Sequence, residues 1–112
     1  MKIETLEQGD VLIVRPQEKR IDASIARDFK SKLSGFVKDG KVNLIIDLKE
    51  VEFIDSSGLG ALVSTLKAIG DQGEIKLCRV KENVRSIFEL TRLNKVFPIF
   101  HSEEEALDSF KK

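Results

Sequence analysis

The run Leu44-Ile45-Ile46 has no polar break. A strand wetted on one face alternates apolar and polar residues. An unbroken run fits a strand covered on both faces, as in a parallel sheet with helices on each side. Val42 to Leu48 is therefore the strongest strand expected. Val51, Phe53 and Ile54 continue toward the sheet edge and deliver the chain to Asp55. Leu59, Leu62, Val63 and Leu66 then recur at helical spacing, so a helix is expected from about Ser57 to Ile69. The stretch Asp55-Ser56-Ser57-Gly58-Leu59-Gly60 thus sits where a strand ends and a helix begins.

The flanking sequence extends the same alternation. Gln8-Gly9-Asp10 is a turn signal between a short mixed run and the β-branched run Val11-Leu12-Ile13-Val14, which predicts an N-terminal hairpin at one side of the sheet. Asp22 reads as the N-cap of a helix to about Lys38, with Ile25, Phe29, Leu33, Phe36 and Val37 as its apolar stripe. Asp39-Gly40 ends that helix. Gly70 and Gly73 close the helix after the junction and lead to a strand over Glu74 to Val80. A third helix is expected from Lys81 to Thr91, and an edge strand over Val96 to Phe100, interrupted by Pro98. Ser102-Glu103-Glu104-Glu105 is a capping box that starts a last helix. The prediction is an α/β domain spanning residues 1–112, with about four helices on a mixed, mostly parallel sheet of about five strands.

Charge and cysteine content exclude some function classes. Lys plus Arg and Asp plus Glu are balanced at 19 each, which argues against direct nucleic-acid binding. Cys78, the only cysteine, lies in an apolar stretch and reads as a buried thiol, with no disulfide framework and no metal pattern. The N-terminus shows no signal peptide, and no run approaches the roughly 20 apolar residues of a membrane span. The expectation is a soluble, cytoplasmic protein without membrane insertion.

The junction itself can be tested against known chemistries. A catalytic serine needs a base in reach, and the only histidine is His101, between the last strand and the last helix. The Gly-x-Ser-x-Gly elbow is absent, since Asp55 stands two before Ser57 and Ile54 two before Ser56. Gly58-Leu59-Gly60 begins like a dinucleotide fingerprint, but position 63 is valine, and there is no Walker pattern. Asp22 and Asp55 could form a carboxylate pair or simply cap two helices. Two readings of the serines stand: both are helix caps, or one accepts a phosphoryl group. A phosphoserine would add about −1.5 to −2 charges at neutral pH. The free N–H groups of a helix start could receive it, and a partner docked there would have to desolvate a dianion.

Asn43-Leu44-Ile45-Ile46-Asp47-Leu48, Val51 and Phe53-Ile54-Asp55-Ser56-Ser57-Gly58-Leu59-Gly60-Ala61-Leu62 resemble the signature of the STAS domain, and more narrowly of the bacterial anti-sigma factor antagonists. Arg20-Ile21-Asp22, Gly73 to Leu77 and Leu90-Thr91-Arg92-Leu93 fit the same pattern. The resemblance implies that Ser57 is the phospho-acceptor and that Asp22, Asp55, Ser56, Gly58 and Leu59 belong to the docking surface. It implies a non-enzymatic partner switch without cofactor. A GHKL-type anti-sigma factor serine kinase would modify Ser57, and a PP2C-like phosphatase would reverse the reaction. The unmodified antagonist would bind the kinase and so release a sigma factor. The family often has glycine where Lys19 stands here, in a loop bordering that surface. The alternative within the resemblance is a constitutive STAS adaptor subunit of a signalling or transporter ATPase complex.

Overall fold

A computed structural model describes residues 1–111. Its strands are β1 (Ile3–Gln8), β2 (Val11–Pro16), β3 (Arg20–Ile21), β4 (Asn43–Asp47), β5 (Phe53–Ile54), β6 (Glu74–Cys78) and β7 (Ile99–Phe100). Its helices are α1 (Ala26–Lys38), α2 (Ser56–Ile69), α3 (Glu82–Leu90) and α4 (Glu103–Phe110). The main sheet has five strands in the order β1-β2-β4-β6-β7. Only β1 runs antiparallel to its neighbour, joined to β2 by the tight turn in which Gly9 takes φ 63°. The mixed, mostly parallel sheet with an N-terminal hairpin at one side matches the sequence expectation.

Three parallel crossovers step in the same direction across this sheet, and right-handed connections place their helices on one face. Leu12, Val14, Leu44, Ile46, Ile75 and Leu77 point to that face and pack with Phe29, Leu33, Leu62 and Phe88 of α1, α2 and α3. The alternate residues Val11, Ile13, Ile45 and Cys78 point the other way and meet Ala106, Leu107 and Phe110 of α4. Both faces are covered, as the unbroken β4 run demands, but one of them by a single eight-residue helix. Cys78 is fully buried there, and burial pushes its thiol up to about 12.

Charges fasten α4 at both ends. Glu103 accepts two hydrogen bonds from Arg15, from Nε and from the terminal guanidinium nitrogen, each at 2.7 Å. Arg79 donates to the buried carboxylate of Asp47 and, at 3.3 Å, to Glu103. Lys76, 6% exposed, donates to the carbonyl and the hydroxyl oxygens of Ser109 at 3.1 and 2.8 Å, near the other end of α4.

Several expected boundaries shift. The helix expected from Asp22 begins at Ala26. Asp22 lies in a preceding turn, where its carbonyl accepts from the N–H of Ile25 and Ala26. The expected strand over 96–100 shrinks to Ile99–Phe100, because the 3-10 turn at Leu93–Lys95 continues into Val96 and Phe97, whose N–H groups both donate to the carbonyl of Leu93. Pro98 still accepts from the N–H of Leu77, a role that needs no proline donor. Phe53 and Ile54 do not extend the main sheet; they pair in parallel with β3 in a separate two-stranded ribbon. Two-residue strands carry no periodicity, so nothing in the sequence announced this ribbon.

Candidate functional site

The β3–β5 ribbon assembles the junction. Its register sets Ile21 opposite Ile54, so Asp22 and Asp55 emerge side by side. The N–H of Asp55 donates to the carbonyl of Ile21 at 3.3 Å. The carbonyl of Lys19 accepts from Glu52 and Phe53. The Lys19 backbone lies outside the left-handed region, so this position does not require glycine.

Asp55 is the true N-cap of α2. Its Oδ1 accepts from the N–H of Ser57 at 2.9 Å and of Gly58 at 3.2 Å. Its Oδ2 accepts from the N–H of Ala23 at 3.2 Å, which ties the start of α2 to the turn after β3. The N–H groups expected to be free for an incoming anion are therefore mostly occupied, and the dipole end already faces a carboxylate.

This cap releases the serines. Ser56 and Ser57 are both exposed, and among the described residues neither hydroxyl has a hydrogen-bond partner. The reading of these serines as caps does not hold. Among the described residues no base contacts Ser57, and the exposed His101 donates its backbone N–H to Glu105 Oε1 at 3.0 Å.

Asp22 is held by a local turn. Its Oδ1 accepts from the hydroxyl of Ser24 at 2.5 Å and from the N–H of Ser24 at 3.0 Å. Arg20 Nε reaches its Oδ2 at 3.4 Å. These donors, the Ser24 hydroxyl first, hold the Asp22 carboxyl below its ordinary range. The Arg20 guanidinium also lies 4.3 Å from the ring centre of Phe53. Sequence reasoning gives Ser24 no role and quotes Arg20 and Phe53 only as parts of a strand or motif, although Asp-x-Ser is an Asx-turn pattern. Beside them opens a hollow of about 440 Å³, lined in part by Lys19, Arg20, Asp22 and Ser24.

The remaining residues expected at the surface divide. Gly58 is buried, and a Cβ there would lie 2.7 Å from the carbonyl oxygen of Ile21 and 2.7 Å from Ile54. Its glycine lets α2 sit on the ribbon. Leu59 is 6% exposed and belongs to the core, so it shapes the junction from beneath. Gly60 is exposed, with nothing within 4 Å of its would-be Cβ. Internal packing explains Gly58 and leaves Gly60 open to an approaching surface.

The model of the STAS domain matches residues 2–106. An anti-sigma-B factor antagonist of Listeria monocytogenes is 38% identical over 87 residues, covering 76% of this chain and 75% of the relative. The crystal structure of an anti-sigma factor antagonist from Mycobacterium paratuberculosis superposes with a TM-score of 0.89 at 26% identity, covering 99% of this chain and 94% of that one. The phosphorylated form of the Bacillus cell fate determinant SpoIIAA shares the fold, with a TM-score of 0.74 at 19% identity over 98% of this chain and all of that one, 100%. Among the described residues no helix is long and apolar enough to cross a membrane.

Proposed function

The chain belongs to the STAS domain family, and from that premise we propose that it is an anti-sigma factor antagonist switched by phosphorylation of Ser57. The observation that carries this reading is the Ser57 hydroxyl, exposed and unbonded on a helix start that Asp55 already caps. A cap would be protected from modification by its own hydrogen bond. This hydroxyl is available, and the names of the curated relatives point to the same class of regulator.

The junction provides no base, so the modifying enzyme supplies one. The γ-phosphoryl group of ATP passes to Ser57 Oγ, the hydroxyl proton goes to the base of the kinase, and ADP leaves. A GHKL-type anti-sigma factor serine kinase fills this role, and a PP2C-like phosphatase restores the hydroxyl by hydrolysis. In its unmodified state the protein binds the kinase and frees a sigma factor in the cytoplasm.

The geometry gives the phosphate its effect. The N–H groups of Ser57 and Gly58 are held by Asp55, so the new charge of about −2 stays on the surface. It stands near the carboxylates of Asp55 and Asp22, which add repulsion. A partner covering the junction must desolvate that charge, at a cost of several kcal/mol where no cation compensates. Binding is lost while the fold persists. Asp22, Asp55 and Ser56 form the polar part of the docking surface, with Gly60 admitting the partner's backbone and Gly58 and Leu59 fixing the level of the helix start.

Intact-mass spectrometry with ATP and candidate serine kinases tests the proposal. One phosphate on the wild-type protein and none on Ser57→Ala is expected. Equal phosphorylation of Ser57→Ala would refute the site. Tight kinase binding without any phosphate would refute the switch and support a constitutive adaptor.

A further inference from the structure

The free edge of the sheet is built differently from the junction. Gln17 donates its N–H to the carbonyl of Lys2 at 2.8 Å, and Lys2 donates its own N–H to Glu18. Antiparallel alternation along the β1–β2 register then turns the N–H and C=O groups of Ile3, Thr5 and Glu7 away from β2. They form an unpaired edge. Along it runs a groove of about 570 Å³ between β1 and α1, lined in part by Ile3, Thr5, Lys32, Gly35, Phe36 and Asp39. A second hollow of about 430 Å³ continues it and shares Thr5, Phe36 and Asp39.

The wall of this groove is one stripe of α1. Residues 32, 35, 36 and 39 follow the i, i+3, i+4, i+7 spacing of a single helix face. Gly35 is in the helix interior, where glycine is unfavourable, and among the described residues nothing lies within 4 Å of its would-be Cβ. Lys32 and Asp39 stand at equal sequence distances on either side of the Gly35-Phe36 step and carry opposite charges. Among the described residues Lys32 has one ion-pair partner, Asp28 at 3.9 Å, and Asp39 has none.

We propose that this face docks a second copy of the chain, with β1 pairing antiparallel to its counterpart about Thr5 and α1 packing against its counterpart at Gly35. A two-fold axis there sets Ile3 opposite the partner copy's residue 7 and Thr5 opposite its residue 5, with no like charges in register. The same axis brings Lys32 to the other copy's position 39 and Asp39 to its position 32, so both ion pairs form with opposite signs. Gly35 removes the side chain that would hold the two helices apart. The occupant is self-complementary in backbone, shape and charge, which a random foreign strand would not be. None of the groove residues named belongs to the junction around Ser57, so each half of the dimer keeps that surface free.

Sedimentation velocity of the full chain over a concentration series tests this. The wild-type protein is expected to show a monomer–dimer equilibrium. Lys32→Asp and Asp39→Lys should each weaken it at least tenfold by placing like charges across the axis, and the double variant should recover dimerisation to within about threefold. Thr5→Pro should abolish it by removing an edge N–H without touching the β1–β2 ladder. Circular dichroism verifies the fold of each variant. A wild-type protein that remains monomeric up to about 1 mM overturns the proposal and leaves the edge to a foreign strand. A dimer indifferent to both single charge reversals also overturns it, because association would then use another face.

Discussion

At the start of α2 a carboxylate caps the helix and a hydroxyl is left over; at the start of α4 a hydroxyl caps and a carboxylate is left over. Asp55 accepts from Ser57 and Gly58, and the Ser57 hydroxyl faces solvent unbonded. Ser102 Oγ accepts from the N–H of Glu105 at 3.0 Å, and the Glu103 carboxylate turns inward to Arg15 and Arg79. Both starts follow a strand and use acidic and hydroxyl residues. What differs is which group meets the backbone, and that decides which is left over. A leftover carboxylate finds guanidinium partners and secures a helix. A leftover hydroxyl is unbonded within the chain and is available to an enzyme.

The strongest way to break this contrast is to lift α2 off its seat. Gly58→Ala places a Cβ against the Ile21 carbonyl and Ile54, and should cost about 2–3 kcal/mol in urea unfolding, with Ser57 phosphorylation impaired as the junction shifts. A neutral effect would mean that the ribbon yields easily. Asp55→Ala removes the acceptor of three N–H groups and should cost about 1–2 kcal/mol. The matching change Ser102→Ala should cost less, about 1 kcal/mol, and leave phosphorylation at wild-type levels.

The inward carboxylate should reveal itself through pH. Hydrogen bonds from Arg15, above all, hold Glu103 down at about 2. Its stabilising contribution is therefore complete above its ordinary value of 4.5 and fades as pH falls through that window toward 2. Neighbouring Asp47 works with the opposite sign: burial raises its pKa, so the folded protein binds the extra proton and this contribution falls as pH rises past the ordinary carboxylate value. Glu103→Gln should cost about 1–2 kcal/mol near pH 7, after discounting for solvent screening, and flatten the loss between pH 4.5 and 2 in chemical denaturation. An unchanged pH profile would show that Glu103 does not fasten α4. The smallest effect is expected at the outward hydroxyl. Ser57→Asp should change stability by less than about 0.5 kcal/mol while weakening kinase binding, measured by calorimetry.

The sequence made the regular parts of this molecule legible. The unbroken Leu44-Ile45-Ile46 run led to the central strand, and the Leu59–Leu66 spacing to the helix after it. Asp22 misled because one short carboxylate can serve either an N-cap or an Asx turn, and only the backbone after it distinguishes them. Leu59 carries two expectations: its spacing with Leu62 and Leu66 puts it on the apolar stripe of α2, where it is buried, while the resemblance alone assigns it to the docking surface. The Arg15–Glu103 contact joins residues 88 positions apart, and no local pattern encodes such a meeting.

The single helix over the second sheet face has a consequence for the nascent chain. Every strand that α4 covers precedes it in the sequence, so on the ribosome Val11, Ile13, Ile45 and Cys78 are synthesised before their cover exists. At about 5–20 residues per second the interval before Ala106 is made is roughly 5–19 s for Val11 and about 1–6 s for Cys78. During that interval the Cys78 thiol lacks the shielding that raises its pKa in the finished fold, and oxidants that cannot reach it afterwards can attack it then.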